Sequence, residues 1–178
     1  MKFPLKILVL ACVLFIVSAG TVMGAEEQPP LFPFSKTEFE KAIKAAATEM
    51  HSPPWKFVQA KEYQMDTDNI YRVSDSLSAN VLQSKQRKGI VDILVTMHNA
   101  SKASTKETGA FFLSFAAVLS VVSPEMTAAE RGELLRELGL TGNTGAFKEV
   151  TASKRNVRCT LSPATDTDRL SLQIAPAQ

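Results

Sequence analysis

Tyr71-Arg72-Val73-Ser74-Asp75-Ser76-Leu77-Ser78-Ala79-Asn80-Val81 is the stretch on which the reading of the fold turns. Tyr71, Val73, Leu77, Ala79 and Val81 fall on one side of an extended chain, with Arg72, Ser74, Ser76, Ser78 and Asn80 on the other. A period of two marks a strand buried on one face and wet on the other. Asp75 interrupts the apolar side and marks a bend or bulge. Lys85-Gln86-Arg87-Lys88-Gly89 follows as a polar turn, and Ile90 to His98 is rich in Ile, Val and Leu on both faces. That combination predicts a buried central strand paired with its predecessor as a hairpin. Lys56 to Tyr63 is a weaker strand candidate, and the three together form an antiparallel meander.

Upstream, Ser35 and Glu38 have capping-box spacing, and Phe34 and Phe39 stand at the positions of a hydrophobic staple. Phe39, Ile43, Ala46, Ala47 and Met50 then share a face, so an amphipathic helix runs from here to Pro53-Pro54. Downstream, Asn99 to Thr108 is polar and aperiodic, which predicts a loop. Ala110 to Val122 is apolar except at Ser114 and Ser120, and its 13 residues are too few to span a bilayer. It is expected to be the central core helix, with Phe111, Phe112 and Phe115 among the most buried residues. Thr127 and Glu130 repeat the capping box, Leu134, Leu135 and Leu138 form a stripe, and Gly139 is a C-terminal cap.

Thr141 to Ser153 is expected to be a long connection. Val157, Cys159 and Leu161 then alternate with Arg158 and Thr160, and Leu170, Leu172 and Ile174 with Ser171 and Gln173, around a turn at Pro163 to Asp168. The predicted class is α+β: an antiparallel sheet of about five strands with helices packed on one face, in the order α-β-β-β-α-α-β-β. Residues 35–176 would form one domain, which suits a chain of 178 residues.

The N-terminus differs in kind. Lys2 and Lys6 precede an apolar run from Ile7 to Ala19, and Val22-Met23-Gly24-Ala25 offers small residues for cleavage, the layout of a secretory signal peptide over residues 1–25. An uncleaved membrane anchor is the alternative, because Ile7 to Ala25 nearly reaches bilayer length. Residues 26–34, with Pro29, Pro30 and Pro33, are expected to be an extended linker. Removal of Lys2 and Lys6 takes Lys plus Arg from 20 to 18, equal to the 18 Asp plus Glu, so the exported chain is neutral. A neutral domain has no field to gather nucleic acid. Of the 2 cysteines, only Cys159 survives cleavage, which excludes an intramolecular disulfide and points to a bacterial periplasm or extracellular setting held together by its core.

Chemistry-bearing residues are few. Cys159 with His51 or His98 is the one thiol–imidazole possibility, but an inward-facing Cys159 on an alternating strand reads as a small buried hydrophobe, and both His as surface residues. Two His and one Cys make no zinc cluster. Asp66, Asp68 and Asn69 open like an acidic loop, yet Tyr71 and Leu77 stand where an EF-hand needs Gly and Glu, so this triplet and Asp166-Thr167-Asp168 read as polar turns. No Gly-x-Ser-x-Gly elbow or phosphate loop occurs. No metal or cofactor is implied.

The remaining feature is basic: Lys85, Arg87 and Lys88 in one turn, with Lys154, Arg155 and Arg158 near the last hairpin. Lys85, Arg87 and Lys88 are the candidate contact for an acidic partner. The expectation is therefore an exported, non-catalytic envelope or secreted module that binds another protein, an envelope polymer or a small ligand. A small exported hydrolase or thiol enzyme with a dispersed site is the alternative.

Overall fold

The computed structural model describes residues 30–58, 69–141 and 147–177. The signal segment, the first four linker residues, residues 59–63 of the weak strand candidate, Asp66, Asp68 and Gly142 to Gly145 lie outside the described residues. The chain forms α1 (Lys36–Glu49), β1 (Lys56–Val58), β2 (Ile70–Arg72), β3 (Leu77–Gln83) and β4 (Ile90–His98). A 3-10 turn (Ala100–Lys102), α2 (Thr105–Val122), α3 (Ala128–Glu137), β5 (Val150–Lys154), β6 (Val157–Ala164) and β7 (Arg169–Pro176) complete it. All strand pairs are antiparallel, in the spatial order β1-β2-β3-β4-β7-β6-β5. The class is α+β, but the sheet has seven strands among the described residues where about five were expected.

Two strands escaped the sequence pattern for different reasons. The run from Tyr71 to Val81 is not one strand: the chain reverses at Ser74 to Ser76, where Val73 N and Ser74 N both donate to Leu77 O. β2 then pairs with β3 through Tyr71 opposite Ala79. Partners of equal parity keep their facing, so Tyr71, Val73, Leu77, Ala79 and Val81 are all buried although the direction has changed. β5 lies inside the stretch expected to be a connection. It is a five-residue edge strand on which only Ala152 is buried.

The helices cover one face. Across the sheet, Tyr71, Ala79, Val95, Leu172 and Leu161 line up in register, flanked by the Val81-Ile93-Ile174-Cys159 and Leu77-Met97-Leu170 ranks. These pack with Phe39, Ile43, Phe111, Phe115, Val118, Leu119 and Leu134 in one core. α1 covers the β2 side, where Trp55 lies 6.3 Å from Phe39 and 5.7 Å from Tyr71 between ring centroids, and the Tyr71 hydroxyl donates to Glu40. α2 is the only described helix long and apolar enough to cross a membrane, and here it is the core helix, with Phe111 and Phe115 wholly buried. Phe112 is only half-buried, because it lies one residue round the helix from Phe111 and turns toward the rim.

All three described α-helices begin with a capping box, at Ser35/Glu38, Ser104/Glu107 and Thr127/Glu130. The second starts α2 at Thr105, inside the expected loop. α3 ends as the sequence indicates, with Gly139 at φ 68°, its N–H bonded to Arg136 O and that of Leu140 to Leu135 O.

The chain before Ser35 joins the domain. Phe32 exchanges backbone hydrogen bonds with Ile90 at 3.0 and 2.9 Å and its side chain is buried. A register shift makes this possible: Leu82 opposes Asp92 but Gln83 opposes Ile90, so one extra residue in β4 turns Ile90 inward toward Phe32. Gly89 supplies the clearance, since a Cβ there would lie 2.8 Å from Leu31 Cβ and 2.9 Å from Phe32 O.

Candidate functional site

No helix covers the other face of the sheet among the described residues, and the same registers set its side chains in ranks. Ser78, Thr96 and Ser171 form one rank; Ile70, Asn80 and Leu94 form the next; His98 opposes Arg169 at the end. They enclose a hollow of about 270 Å³. Its volume is near the lower end of small-molecule sites, roughly 300–1,000 Å³.

Three features give the hollow chemistry. First, the Ser78 hydroxyl lies 2.9 Å from His98 Nε2, and the hydroxyls of Thr96 and Ser171 lie 3.1 Å apart. Burial, aided by the Arg169 charge, holds the His98 imidazolium below its ordinary pKa. His98 is therefore neutral at pH 7 and offers one donor and one acceptor. Second, Asn80 Oδ1 is buried without a hydrogen-bond partner. Third, Arg169 is exposed, and no hydrogen bond or ion pair engages its guanidinium among the described residues. The hollow is thus bordered by a solvent-exposed cation and lined by Ile70 and Leu94, with Asn80 Oδ1 closed off from solvent. A shallower hollow of about 220 Å³ lies across Arg169, bounded by Ser101, Phe147, Pro163 and Asp168.

The residues singled out from sequence are placed as follows. Lys85 and Lys88 are exposed in the β3–β4 turn, Arg87 is half-buried there, and Ser84 Oγ accepts from the Gln86 and Arg87 amides. Lys88 pairs with Glu38 at 3.0 Å. Lys154 pairs with Glu133 at 2.6 Å and Arg155 with Glu130 at 2.8 Å, so these cations are tied to glutamates of α3. Both basic groups sit at the same end of the sheet, three strand positions apart, about 14 Å at the usual strand spacing. Neither reaches the hollow. Arg158 is exposed on the open face beside Thr160.

Cys159 is wholly buried on the covered face, where desolvation pushes its thiol up to about 12. It and His98 lie on opposite faces, so they form no thiol–imidazole pair. His51 is exposed just past α1 at φ 53°, where its N–H bonds Thr48 O and that of Ser52 bonds Ala47 O. It ends the helix in the left-handed position usually given to Gly. Asp168 accepts from the amide and hydroxyl of Ser101 at 2.8 Å each, which makes the second acidic triplet a turn anchor. Among the described residues no three His, Cys, Asp or Glu gather as a metal site would require.

Sequence reasoning missed Asn80, Thr96, Arg169 and Ser171 as a group. Each is an ordinary polar residue on the side of its strand away from the helices, and only non-local register brings them together. The chain matches no protein-family model, and no curated protein or solved structure matches it significantly.

Proposed function

We propose that this protein is an exported, non-catalytic binding module of the cell envelope or extracellular space, whose ligand occupies the open face of the sheet. The observation that carries the reading is the hollow, where the exposed Arg169 side chain, His98 and the hydroxyl residues Ser78, Thr96 and Ser171 line one concave surface. Export rests on the tripartite N-terminus, and the periplasmic or extracellular setting on the lone buried thiol. The turn carrying Lys85, Arg87 and Lys88 remains a second contact for an acidic partner, weakened by the pairing of Lys88 with Glu38.

The enzyme alternative has one observation in its favour, the Ser78–His98 contact with a neutral imidazole. A serine nucleophile needs the imidazolium stabilised as it forms, by a carboxylate on the far ring nitrogen. Here the charged neighbour is Arg169, which opposes that proton transfer. That neighbour favours binding over turnover at this site.

The test compares material retained from envelope extract by the wild-type protein, by Arg169→Glu, and by a charge reversal of Lys85, Arg87 and Lys88, alongside an assay of activated-ester hydrolysis. Retention lost in Arg169→Glu alone, without hydrolysis, supports the open face. Loss only in the turn variant moves the site to the basic turn. Hydrolysis that disappears in Ser78→Ala replaces the module with an enzyme.

A further inference from the structure

We infer that the end of the hollow between His98 and Arg169 is a site for a tetrahedral oxyanion, the phosphate or sulfate group of an ester. This rests on the binding-module reading and names its ligand class. Register brings the parts together. His98 on β4 stands directly opposite Arg169 on β7, where Cβ atoms are usually about 5 Å apart. Ser171 is the next outward residue along β7, about 7 Å from Arg169 at the usual strand rise. Ser78 on β3 meets His98 Nε2 at 2.9 Å. All four line the hollow. Arg169 is exposed and the other three are half-buried, so a ligand reaches each of them.

The charges around this end leave room for an anion. An imidazole that gains a proton opposite a guanidinium is repelled by it, and no nearby carboxylate stands between the two. Asp168 accepts from the amide and hydroxyl of Ser101, and Lys102 lies beside it. Glu107 at the start of α2 accepts from the amide and hydroxyl of Ser104, and Asp92, three ranks along β4, from Gln173. Arg72, exposed opposite Ser78 on β2, adds positive charge on the same face. A bound oxyanion replaces the repulsion between His98 and Arg169 with two attractions.

The donors suit a tetrahedral group better than a flat one. They come from three strands: the guanidinium fork from β7, the imidazole from β4, and hydroxyls from β3 and β7. Thr96 and Ser171 share a 3.1 Å contact that uses one of their hydroxyl protons and leaves the other to a ligand. A carboxylate offers its oxygens in one plane, whereas a phosphate or sulfate ester spreads them toward all three strands. Ile70 and Leu94 then accommodate the organic part of the ester.

Binding is coupled to a proton. Burial and the Arg169 charge hold the His98 imidazolium below its ordinary pKa, so it forms only in acid. Once formed, its Nε2–H donates to Ser78 Oγ and turns the Ser78 proton outward to the ligand. An anion beside the imidazolium favours it, so affinity rises as pH falls through the His98 titration.

The chain has 2 histidines, so their ring protons are followed separately by NMR, with His51 as the internal reference. The protein is titrated from pH 8 to pH 5.5 in sulfate, which stays a dianion throughout, and at equal ionic strength in chloride and in acetate. Sulfate should raise the His98 midpoint by about one pH unit over chloride, equivalent to tenfold tighter binding to the protonated form, and leave His51 unmoved. In Arg169→Ala the midpoint in chloride should itself rise, because the opposing charge is gone, and the response to sulfate should largely disappear. Matching melting curves show that the variant folds. Phenyl phosphate and phenyl sulfate then distinguish the two esters, and either one binding more tightly than benzoate supports the site. The same His98 midpoint in sulfate and chloride overturns the inference. The same rise in acetate overturns the tetrahedral reading in favour of a general anion site. Either failure is distinct from that of the binding-module reading, which stands or falls on retention by Arg169→Glu.

Discussion

One sheet carries two unlike faces. Along β4, Ile93, Val95 and Met97 turn under the helices, while Leu94, Thr96 and His98 turn outward. The backbone hydrogen bonds serve both faces equally. The side chains do not: the inner set removes apolar area from water, at about 25 cal/mol per Å², whereas the outer set includes a buried Asn80 acceptor that weakens the fold. The inner face is composed as folding demands except at Trp55 Nε1, which is buried in the core without a partner. The outer face departs from that demand at Asn80, Thr96, His98 and Arg169, and such departures concentrate where a protein meets something else.

The largest test of this contrast sets Phe115→Ala against Arg169→Ala. Phe115 is wholly buried at the centre of α2, so its truncation should cost roughly 3–5 kcal/mol. Arg169 is exposed and has no ion pair among the described residues, so its truncation should change stability by no more than about 0.5 kcal/mol. Urea unfolding of the two variants measures both. Comparable losses would mean that the open face is part of the folding core and would undo the distinction.

A second test reaches the border between leader and core. Gly89→Ala places a Cβ 2.8 Å from Leu31 Cβ and 2.9 Å from the Phe32 carbonyl, neither of which is a flexible tip. The expected cost is about 1–3 kcal/mol. Amide exchange should locate it, with Phe32 and Ile90 losing protection while β7 keeps its own. Unchanged exchange at Phe32 would show that the leader docks without Gly89.

The legibility of this chain follows the same division. Burial writes itself into local periodicity, so α1, α3, the core of α2 and the inner faces of β4, β6 and β7 could be read from Phe39, Leu134, Phe115, Val95, Cys159 and Leu172. The turn between β2 and β3 was hidden because it preserves parity. β5 was hidden because an edge strand with one buried residue carries almost no periodic signal. The start of α2 was available in Ser104 and Glu107 but was masked by the polar composition around them. The hollow was not legible at all: Ser78, Thr96 and Ser171 are strangers in sequence, joined only by pairing across β3, β4 and β7.

Neighbouring residues sharpen the contrast within a single strand. Cys159 faces the core and Arg158 the solvent, one residue apart. Native Cys159 should resist alkylation at pH 8 until denaturant is added, whereas Arg158→Cys should add a thiol that labels at once. Raising the thiol pKa to about 12 means that the folded state holds the proton more tightly than the unfolded one. Its contribution to stability is complete below the unfolded value near 9 and is lost as pH rises toward 12. Cys159→Ser should flatten that alkaline loss. Prompt labelling of native Cys159 would place the residue on the wrong face.

The smallest expected effect lies on neither face, and this makes it the control for both. α1 and α3 end with the same pair of backbone hydrogen bonds, but Gly139 occupies the left-handed position in α3 and His51 in α1. An L-residue pays about 1–2 kcal/mol for that conformation, and Gly does not, although Gly gives back part of the gain by loosening the unfolded chain. No side-chain hydrogen bond or ion pair of His51 is present among the described residues to offset its strain. His51→Gly should therefore stabilise the protein by about 1 kcal/mol, raising Tm by roughly 2–4 °C for a domain of this size. Binding at the open face should be unchanged, because the substitution alters neither the ranks of the sheet nor the charge around Arg169. A gain in stability with unaltered ligand affinity would show that stability and recognition are separable here, as the two faces imply. Weaker binding in His51→Gly would place the end of α1 within the recognition surface and dissolve the distinction.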